Sequence, residues 1–364
     1  MFSSLPLPIL CLLWAGLVRS QDCVGTISSM DDVAEAVKCK TVNLNGFTVP
    51  PNVTLNLSLL DNTTVNMLGN VTFGVFNWAG PLFQVSLSET YPIVNGNGYF
   101  FDGNGPSYWD GLGGNGGVTK PHPMMKIKIS GLFTQVGVIN SPAHTFSISN
   151  PAPLTISHIT IDNSLGAYPN ANSGGLPAGH NTDGFDCSTT DLSIQNSLIK
   201  NQDDCLAINK GRNISFHGNT CIGGHGISVG SIDSNVVATD IRITGNTIVN
   251  NTQALRIKTK AAATNSTVSD ITFSGNDATG CSDFGVIIDQ GYPSTLGTPG
   301  SGVALSNVNF VGTMNHIQVD DTARRVAVNC GNSSCLGTWD WNKLNVTGGE
   351  AGPVNYAGII NWSQ

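Results

Sequence analysis

The sequence predicts an all-β chain that stacks as a parallel β-helix, with one short helix capping its N-terminal end. Only 11% of the 364 residues are charged, and 43 are glycine, which is typical of a chain rich in turns and strands. From residue 154 onward, a short pattern of alternating apolar residues followed by an Asn turn recurs without helical segments between its copies. Strands this short cannot each close a core alone, so they are expected to stack.

Four copies of the repeat define the coils of this predicted solenoid. They read LSIQN, ISFHGN, IRITGN and ITFSGN, starting at Leu192, Ile214, Ile241 and Ile271. A second short apolar strand follows each copy, starting at Leu206, Ile227, Leu255 and Val286. In a stack of this kind, alternate side chains point inward, and the Asn at each corner can hydrogen-bond to the next coil.

An antiparallel sandwich or barrel also contains many short strands, but tight Asn-Gly hairpins do not separate these copies. Before residue 154 the strand character continues in weaker form at Val42–Leu44, Val53–Leu55, Val65–Met67 and Ile127–Ile129. The segment DDVAEAVK, Asp31 to Lys38, is expected to be the short helix that covers the open end of the core. Because no linker is evident, residues 21–364 are expected to form a single domain.

The first 20 residues have the pattern of a signal peptide. An apolar run from Leu5 to Val18 precedes small residues near Ser20, and it is too short to span a bilayer. We therefore expect a secreted, extracellular chain without a membrane anchor. Ten Asn-X-Ser/Thr sites fit export: Asn52, Asn56, Asn62, Asn70, Asn213, Asn250, Asn265, Asn332, Asn345 and Asn361.

Eight of the nine cysteines remain once Cys11 leaves with the signal peptide, and an oxidising compartment would favour their pairing. Three pairs lie close in sequence and are expected to form local disulfides: Cys23 with Cys39, Cys205 with Cys221, and Cys330 with Cys335. Cys187 and Cys281 are left over, and we interpret both as small buried hydrophobic residues.

The formal net charge of −8 argues against nucleic acid as a partner, because phosphate binding requires a basic surface. The same charge gives no general affinity for an anionic sugar. A site for such a ligand must therefore rely on a few local cations or on acidic conditions. No feature of the sequence indicates an oligomer, and we expect a monomer.

Register along the stack brings a set of polar residues together. If Phe185, Leu206 and Ile227 are equivalent, the residues two positions earlier are Asp183, Asp204 and His225, at equal intervals of 21 residues. Equal register in a solenoid places these side chains in one column, with Asp203 beside it.

One coil further on, Arg256 and Lys258 flank the inward-facing Ile257, so both cations are expected to point outward next to the carboxylates. Each residue alone could be a turn former or a solvated surface group. Their convergence in consecutive coils favours a site, because stacked like charges are destabilising unless function requires them. Carboxylates for acid/base chemistry and cations for uronate groups suit an acidic polysaccharide.

The same segments resemble the glycoside hydrolase family 28 polygalacturonases, particularly the secreted fungal-type endo-enzymes. The matching motifs are GHNTDGFD at 179–186, NQDDC at 201–205, GGHGIS at 223–228 and RIK at 256–258. This resemblance implies a right-handed parallel β-helix that hydrolyses α-1,4-galacturonosidic links in homogalacturonan, with inversion and with neither metal nor cofactor. The expected partner is polygalacturonate.

The resemblance also implies roles for individual residues. Asp203 would be the general acid, and Asp183 with Asp204 would activate water. Because crowded carboxyl groups cannot all ionise at their ordinary pKa, one is expected to keep its proton to higher pH, and the resemblance assigns this to Asp203. The remaining implied site residues are His225, which would tune the acid, and the substrate-binding Arg256, Lys258, Tyr292 and Asn181.

The sequence is compatible with several alternatives. Adjacent coils would place Asp183 and Asp204 near the roughly 5 Å separation associated with retention, whereas inversion is associated with about 6.5–9.5 Å. An exo-polygalacturonase or a rhamnogalacturonan hydrolase could use the same fold. A calcium-dependent lyase and a non-catalytic pectin-binding protein are the candidates from other functional classes.

Overall fold

A computed structural model describes residues 21–86 and 90–364, and the predicted signal peptide lies outside this range. The strands of the described chain pair in parallel and stack in three columns around one core, which confirms the predicted right-handed parallel β-helix. The short strands of the N-terminal coils are β1 (Gln21–Ile27), β2 (Cys39–Leu44), β3 (Phe47–Val49), β4 (Leu55–Ser58), β5 (Thr64–Met67), β6 (Val71–Phe73), β7 (Phe83–Ser86), β8 (Ile93–Asn95) and β9 (Phe100–Asp102).

The two longest strands of the described chain lie in its middle, at Phe185–Gln195 and Leu206–His217. The middle coils contain β10 (Met125–Lys128), β11 (Gly131–Thr134), β12 (Gly137–Ile139), β13 (Phe146–Ile148), β14 (Leu154–Ser157), β15 (Thr160–Asp162), β16 (Phe185–Gln195), β17 (Leu198–Lys200), β18 (Leu206–His217) and β19 (Thr220–Ile222). The last coils contain β20 (Ile227–Ile232), β21 (Val237–Thr244), β22 (Thr247–Val249), β23 (Gln253–Lys260), β24 (Ser266–Ser274), β25 (Asp277–Cys281), β26 (Phe284–Tyr292), β27 (Val303–Phe310), β28 (Asn315–Val319), β29 (Arg324–Asn329), β30 (Cys335–Leu336), β31 (Trp339–Asp340), β32 (Leu344–Thr347) and β33 (Ile359–Ile360).

Three stacks of strands surround the core. The first runs through β4, β7, β10, β13, β16, β18, β20, β23, β26 and β29, and the second runs from β1 through β2, β5, β8, β11, β14, β16, β18, β21, β24 and β27 to β30. Strands β16 and β18 belong to both because each bends around a corner without interruption. The third stack consists of β3, β6, β9, β12, β15, β17, β19, β22, β25, β28 and β32.

The repeat identified from sequence accounts for the first two stacks but misses the third. Many strands of the third stack have only three residues and carry a single inward side chain, such as Ile199 in β17 or Ile248 in β22. One buried residue between two polar turns gives no alternation to detect. Each coil therefore has three sides rather than the two that the sequence pattern indicates.

The core is a column of apolar side chains in register from coil to coil. Phe146, Phe185, Leu206 and Ile227 are consecutive partners in the first stack, and all four are fully buried. The rings of Phe146 and Phe185 stack with their centroids 5.1 Å apart. This column fixes the register of the polar residues that precede each strand.

Asparagines at one buried corner form a ladder that joins successive coils, as the sequence predicted. The Oδ1 of Asn246 accepts from the backbone N–H of Asn219 at 2.9 Å, and its Nδ2 donates to the Phe216 carbonyl at 3.0 Å. Asn276 and Asn315 repeat these bonds one coil further on each time. Each amide thus satisfies backbone groups that would otherwise be buried without partners.

The N-terminal end is covered by the short helix α1 (Val33–Ala36), which follows a 3₁₀ turn at Met30–Asp32. The predicted helix is present but shorter than Asp31 to Lys38. Further 3₁₀ turns occur at Gly105–Ser107, Gly113–Asn115 and Ser164–Ala167.

Three local disulfides are present as predicted, joining Cys23 to Cys39, Cys205 to Cys221, and Cys330 to Cys335. Cys187 and Cys281 are free and buried, in agreement with their interpretation as small hydrophobic residues. In the described ranges, no helix combines the length and the apolar character needed to cross a membrane.

Candidate active site

A polar cleft of about 460 Å³ lies over the first stack, where β16, β18, β20 and β23 begin. All eight site residues predicted from the sequence line this cleft: Asn181, Asp183, Asp203, Asp204, His225, Arg256, Lys258 and Tyr292. The acidic residues come from the turns that enter β16 and β18, and the cations lie on β23. The convergence expected from spacing is therefore present.

The register behind this convergence is also as predicted. Phe185 pairs with Leu206, and Leu206 pairs with Ile227, so Asp183, Asp204 and His225 occupy equivalent positions. The His225 imidazole, however, turns toward Asp203 rather than toward the other members of its column.

Three donors orient the carboxylate of Asp203. His225 Nδ1 lies 3.0 Å from Oδ1, the backbone N–H of Asp204 donates to the same oxygen at 2.8 Å, and Asn181 Nδ2 donates to Oδ2 at 3.1 Å. Burial raises the pKa of Asp203, but the hydrogen bond and charge of His225, with the charge of Lys258, outweigh burial and lower this pKa. Burial lowers the pKa of His225, yet the bond to Asp203 and the nearby carboxylates raise it overall.

The expectation that Asp203 keeps its proton to higher pH is therefore wrong for the free protein. The crowding argument counted neighbouring carboxylates but not the cationic donor His225, which favours the ionised form of Asp203. The proton lies instead on the His225 side of a hydrogen-bonded pair.

Asp204 is the most enclosed carboxylate of the cleft, with only 1% of its side chain exposed. Arg256 Nη2 and Ser228 Oγ donate to Oδ1, and Lys258 Nζ donates to Oδ2 at 2.6 Å. The Lys258 ammonium also lies 5.2 Å from the centre of the Tyr292 ring. Both cations thus neutralise Asp204, in addition to the substrate-binding role that the sequence suggested.

Atoms of Asp203, Asp204 and His225 lie within 4.8 Å of one another and could in principle surround a cation. Both oxygens of Asp204 already accept hydrogen bonds from Arg256 and Lys258. A metal ion at this carboxylate would face two positive side chains, which disfavours its binding.

Asp183 and Asp186 form a second, less neutralised acidic group. Burial, followed by the charges of neighbouring carboxylates, raises the pKa of Asp183 well above its ordinary value. Burial and the charges of Asp204 and Asp203 raise the pKa of Asp186 to about 7. Oδ1 of Asp183 and Oδ2 of Asp186 are buried without a hydrogen-bond partner.

His144 lies between these two carboxyl groups. Its Nε2 is 3.7 Å from Oδ1 of Asp183, and its Nδ1 is 3.7 Å from Oδ2 of Asp186. Burial lowers the pKa of His144, although the negative charges of Asp203 and Asp204 oppose this change.

Sequence reasoning missed both His144 and Asp186, although the signal was available. His144 precedes Phe146 by two residues, and Phe146 is the partner of Phe185, so His144 belongs to the same column as Asp183. The long connection between β15 and β16 makes this interval 39 residues instead of 21 and hides it from a search for equal spacing. Asp186 occupies the register position of Ser228 and Arg256, which the same alignment would have shown.

The chain is similar to known proteins over most of its length. The family model described as glycosyl hydrolases family 28 matches residues 39–359. An endo-polygalacturonase of Sclerotinia sclerotiorum is 41% identical over 331 residues, covering 87% of this chain and 81% of that protein. Endopolygalacturonase I of Aspergillus aculeatus is 38% identical over 338 residues, covering 89% of this chain and 85% of the relative.

A solved structure is similar over nearly the whole chain. Endopolygalacturonase I from Stereum purpureum, complexed with two galacturonate, superposes with a TM-score of 0.86 at 43% identity. The match covers 92% of this chain and 97% of the Stereum protein.

Proposed function

This chain belongs to glycosyl hydrolases family 28, and from that premise we propose that it is an endo-polygalacturonase that degrades pectin. Its substrate is homogalacturonan, in which it hydrolyses internal α-1,4-galacturonosidic links. The observation that supports this function best is the cleft that joins Asp203, Asp204 and Asp183 to the cations of β23. The Sclerotinia and Stereum relatives, which are endopolygalacturonases, support the same substrate class.

In this proposal Asp203 is the general acid, and it works as a pair with His225. The lowered pKa of Asp203 and the raised pKa of His225 mean that the pair holds one proton across their hydrogen bond. As the glycosidic bond breaks, the proton passes from Nδ1 of His225 to Asp203 and from Asp203 to the oxygen of the departing sugar, which leaves an ionised Asp203 and a neutral His225. Asn181 keeps the second carboxylate oxygen of Asp203 oriented during this step.

Asp183 and Asp204 activate the attacking water. One of these carboxylates accepts a proton from water while the water oxygen bonds to the anomeric carbon, and the departing sugar takes the proton of Asp203. Asp204 bonds to two cations, whereas Oδ1 of Asp183 has no hydrogen-bond partner. We propose inversion at the anomeric carbon, as the family resemblance implies, and proton NMR of the first products measures this outcome directly.

The cations and the aromatic ring of the cleft bind substrate. Arg256 and Lys258 each retain N–H groups beyond those bonded to Asp204, and they would pair with uronate carboxylates at the cleft. Tyr292 would pack beside the sugar next to Lys258. The absence of net positive charge elsewhere makes these local cations the main source of affinity for an anionic polymer.

We also propose that residues 1–20 are removed as a signal peptide and that residues 21–364 act outside the cell as a single, monomeric domain. The three disulfides support an oxidising compartment. All ten Asn residues of the glycosylation motifs are exposed, so each is accessible to modification.

The deciding experiment is a reducing-sugar assay on demethylated polygalacturonate, with products resolved by length. Endo-hydrolysis gives a mixture of oligomers early in the reaction, whereas exo-action releases one short product from the start. Products that absorb in the ultraviolet and are lost in a chelator would indicate a lyase. Binding without new reducing ends would indicate a pectin-binding protein.

A further inference from the structure

His144 lies between two carboxyl groups, and each of its ring nitrogens faces one of them. Its Nε2 and Nδ1 lie 3.7 Å from buried oxygens of Asp183 and Asp186, respectively. Neither oxygen has another hydrogen-bond partner. An imidazole between two orphaned carboxyl oxygens can satisfy both of them with only a small movement of the ring.

The proposed role of Asp183 requires this help. A carboxylate that accepts a proton from water must first be ionised, yet burial and the neighbouring negative charges oppose ionisation of Asp183. A hydrogen bond donated to the ionised carboxylate stabilises it and lowers its pKa. Nε2 of His144 lies 3.7 Å from the free Oδ1 of Asp183 and can supply such a bond.

The second contact of His144 bears on which of its nitrogens carries a proton, because Oδ2 of Asp186 lies 3.7 Å from Nδ1. Burial raises the pKa of Asp186 to about 7, so below that pH it holds a proton on a carboxyl group whose Oδ2 faces Nδ1 of His144. A protonated carboxyl group is a donor, and it therefore requires Nδ1 to act as an acceptor. A neutral imidazole that accepts at Nδ1 must carry its own proton at Nε2, directed toward Asp183.

We propose that His144 is a positioning residue of the hydrolytic reaction. Asp186 donates its proton to Nδ1 of His144, and Nε2 of His144 donates to the Asp183 carboxylate, which is thereby held ionised and oriented toward the attacking water. This inference rests on the proposed function. His144 keeps its own proton throughout, since the water proton goes to Asp183 and the departing sugar receives the proton of Asp203.

The charged and titratable groups around His144 are compatible with a neutral imidazole. Burial lowers the pKa of His144 and also that of His122, whose ring centroid lies 5.1 Å away. The remaining ionisable groups that line the cleft come from the entries to β16, β18 and β20, from β23 and from the end of β26: His180, Asp183, Asp186, Asp203, Asp204, His225, Arg256, Lys258 and Tyr292.

Two substitutions separate positioning from mere packing. His144→Leu removes both hydrogen bonds, whereas the amide of His144→Gln can still accept from Asp186 and donate to Asp183. We expect His144→Leu to lower kcat roughly 10–100-fold with little change in KM, and His144→Gln to retain much of the wild-type kcat. His316→Leu is the matched control, since His316 is exposed on β28 of the third stack.

The pH dependence of kcat distinguishes a lost hydrogen bond from lost packing, because lost packing alone would not shift the acidic limb. Removing the donor raises the pKa of Asp183, so the acidic limb of kcat moves to higher pH in His144→Leu and stays near its wild-type position in His144→Gln. Unchanged kcat and an unchanged acidic limb in folded His144→Leu would overturn the proposal.

Histidine-selective ¹⁵N NMR tests the tautomer independently of activity. At pH 6 the proposal requires a neutral His144 that is protonated at Nε2, and Asp186→Ala should weaken this preference. An Nδ1–H tautomer or an imidazolium would overturn the role of His144 even in an active hydrolase. If the wild type fails to hydrolyse polygalacturonate, the proposed function falls, whereas the tautomer measurement still decides the hydrogen-bond arrangement.

Discussion

Nδ1 of His225 lies 3.0 Å from Oδ1 of Asp203, and this contact moves the pKa values of the two side chains in opposite directions. The pair, rather than either residue, therefore determines when the site loses its acidic proton.

His225→Ala should move the alkaline limb of the rate profile to lower pH. In the wild type, the pair holds its proton until pH rises through the raised pKa of His225. Without the imidazole, the proton belongs to a lone carboxyl group, which ionises at lower pH. The measurement is kcat against pH on polygalacturonate for both proteins. An alkaline limb that stays in place would show that His225 does not share the catalytic proton.

Each of Asp203→Asn, Asp183→Asn and Asp204→Asn should lower turnover by roughly 10²–10⁴, because a positioned acid or base typically contributes that much. Asn keeps the shape of the side chain, so far-ultraviolet circular dichroism should remain unchanged. Asp321→Asn, at an exposed position, serves as the control. Near-native turnover in Asp203→Asn would remove that residue from the role of general acid.

Lys258→Met should cost both stability and affinity. It leaves the fully enclosed Asp204 with Arg256 as its remaining cationic partner, and breaking such a buried pair typically costs roughly 3–5 kcal/mol. The double variant with Asp204→Asn should lose less than the sum of the single losses, because the stranded charge is gone. Urea unfolding of the wild type, the two single variants and the double variant gives the free energies of unfolding for a double-mutant cycle. The KM of Lys258→Met on polygalacturonate measures the contribution of Lys258 to substrate binding. Strict additivity would show that the contact does not stabilise the fold.

Asp186→Asn should stabilise the protein near neutral pH but not under acidic conditions. Burial raises the pKa of folded Asp186 from an ordinary value of 3.8 to about 7. Its contribution to stability is fully present below about pH 4 and is lost as pH rises toward 7, because the unfolded chain releases the proton first. The neutral amide avoids this loss. We expect the Tm advantage of the variant to grow between pH 4 and 7, and a constant difference would contradict the raised pKa.

Asn246→Ala should destabilise the fold strongly although it removes no apolar surface. It leaves the backbone N–H of Asn219 and the carbonyl of Phe216 buried without their side-chain partner, at about 1–3 kcal/mol for each group. Chemical denaturation measures the loss. Asn172→Ala, at an exposed position, should lie within about 0.5 kcal/mol of the wild type.

Much of this architecture could be predicted from the sequence because a solenoid repeats itself. Two of the three stacks follow from alternating apolar residues, and the register of Phe185 with Leu206 placed Asp183 and Asp204 together. The third stack was missed because a three-residue strand with one buried side chain has no period. His144 was missed because its coil is lengthened by the connection that carries Gly166 and Gly179.

The protonation state of the site could not be predicted from spacing. Spacing shows which residues share a column, but side-chain torsions decide which atoms touch. His225 turns to Asp203 and favours ionisation there, whereas Oδ1 of Asp183 is buried without a hydrogen bond and has His144 at 3.7 Å. The order of the carboxyl pKa values depends on these contacts rather than on the number of nearby acids.

The asparagine ladder keeps successive coils aligned even though the coils differ in length. Successive rungs from Asn219 to Asn315 are 27, 30 and 39 residues apart, yet each makes the same bonds to the coil before it. Part of the extra length lies in the connections at 233–236, 261–265 and 293–302, and the last of these directly follows the cleft residue Tyr292. Connections of this kind can lengthen or shorten during evolution while the strand register that aligns the catalytic residues stays fixed, which gives such a chain a route to new contacts near Tyr292 without a new reaction.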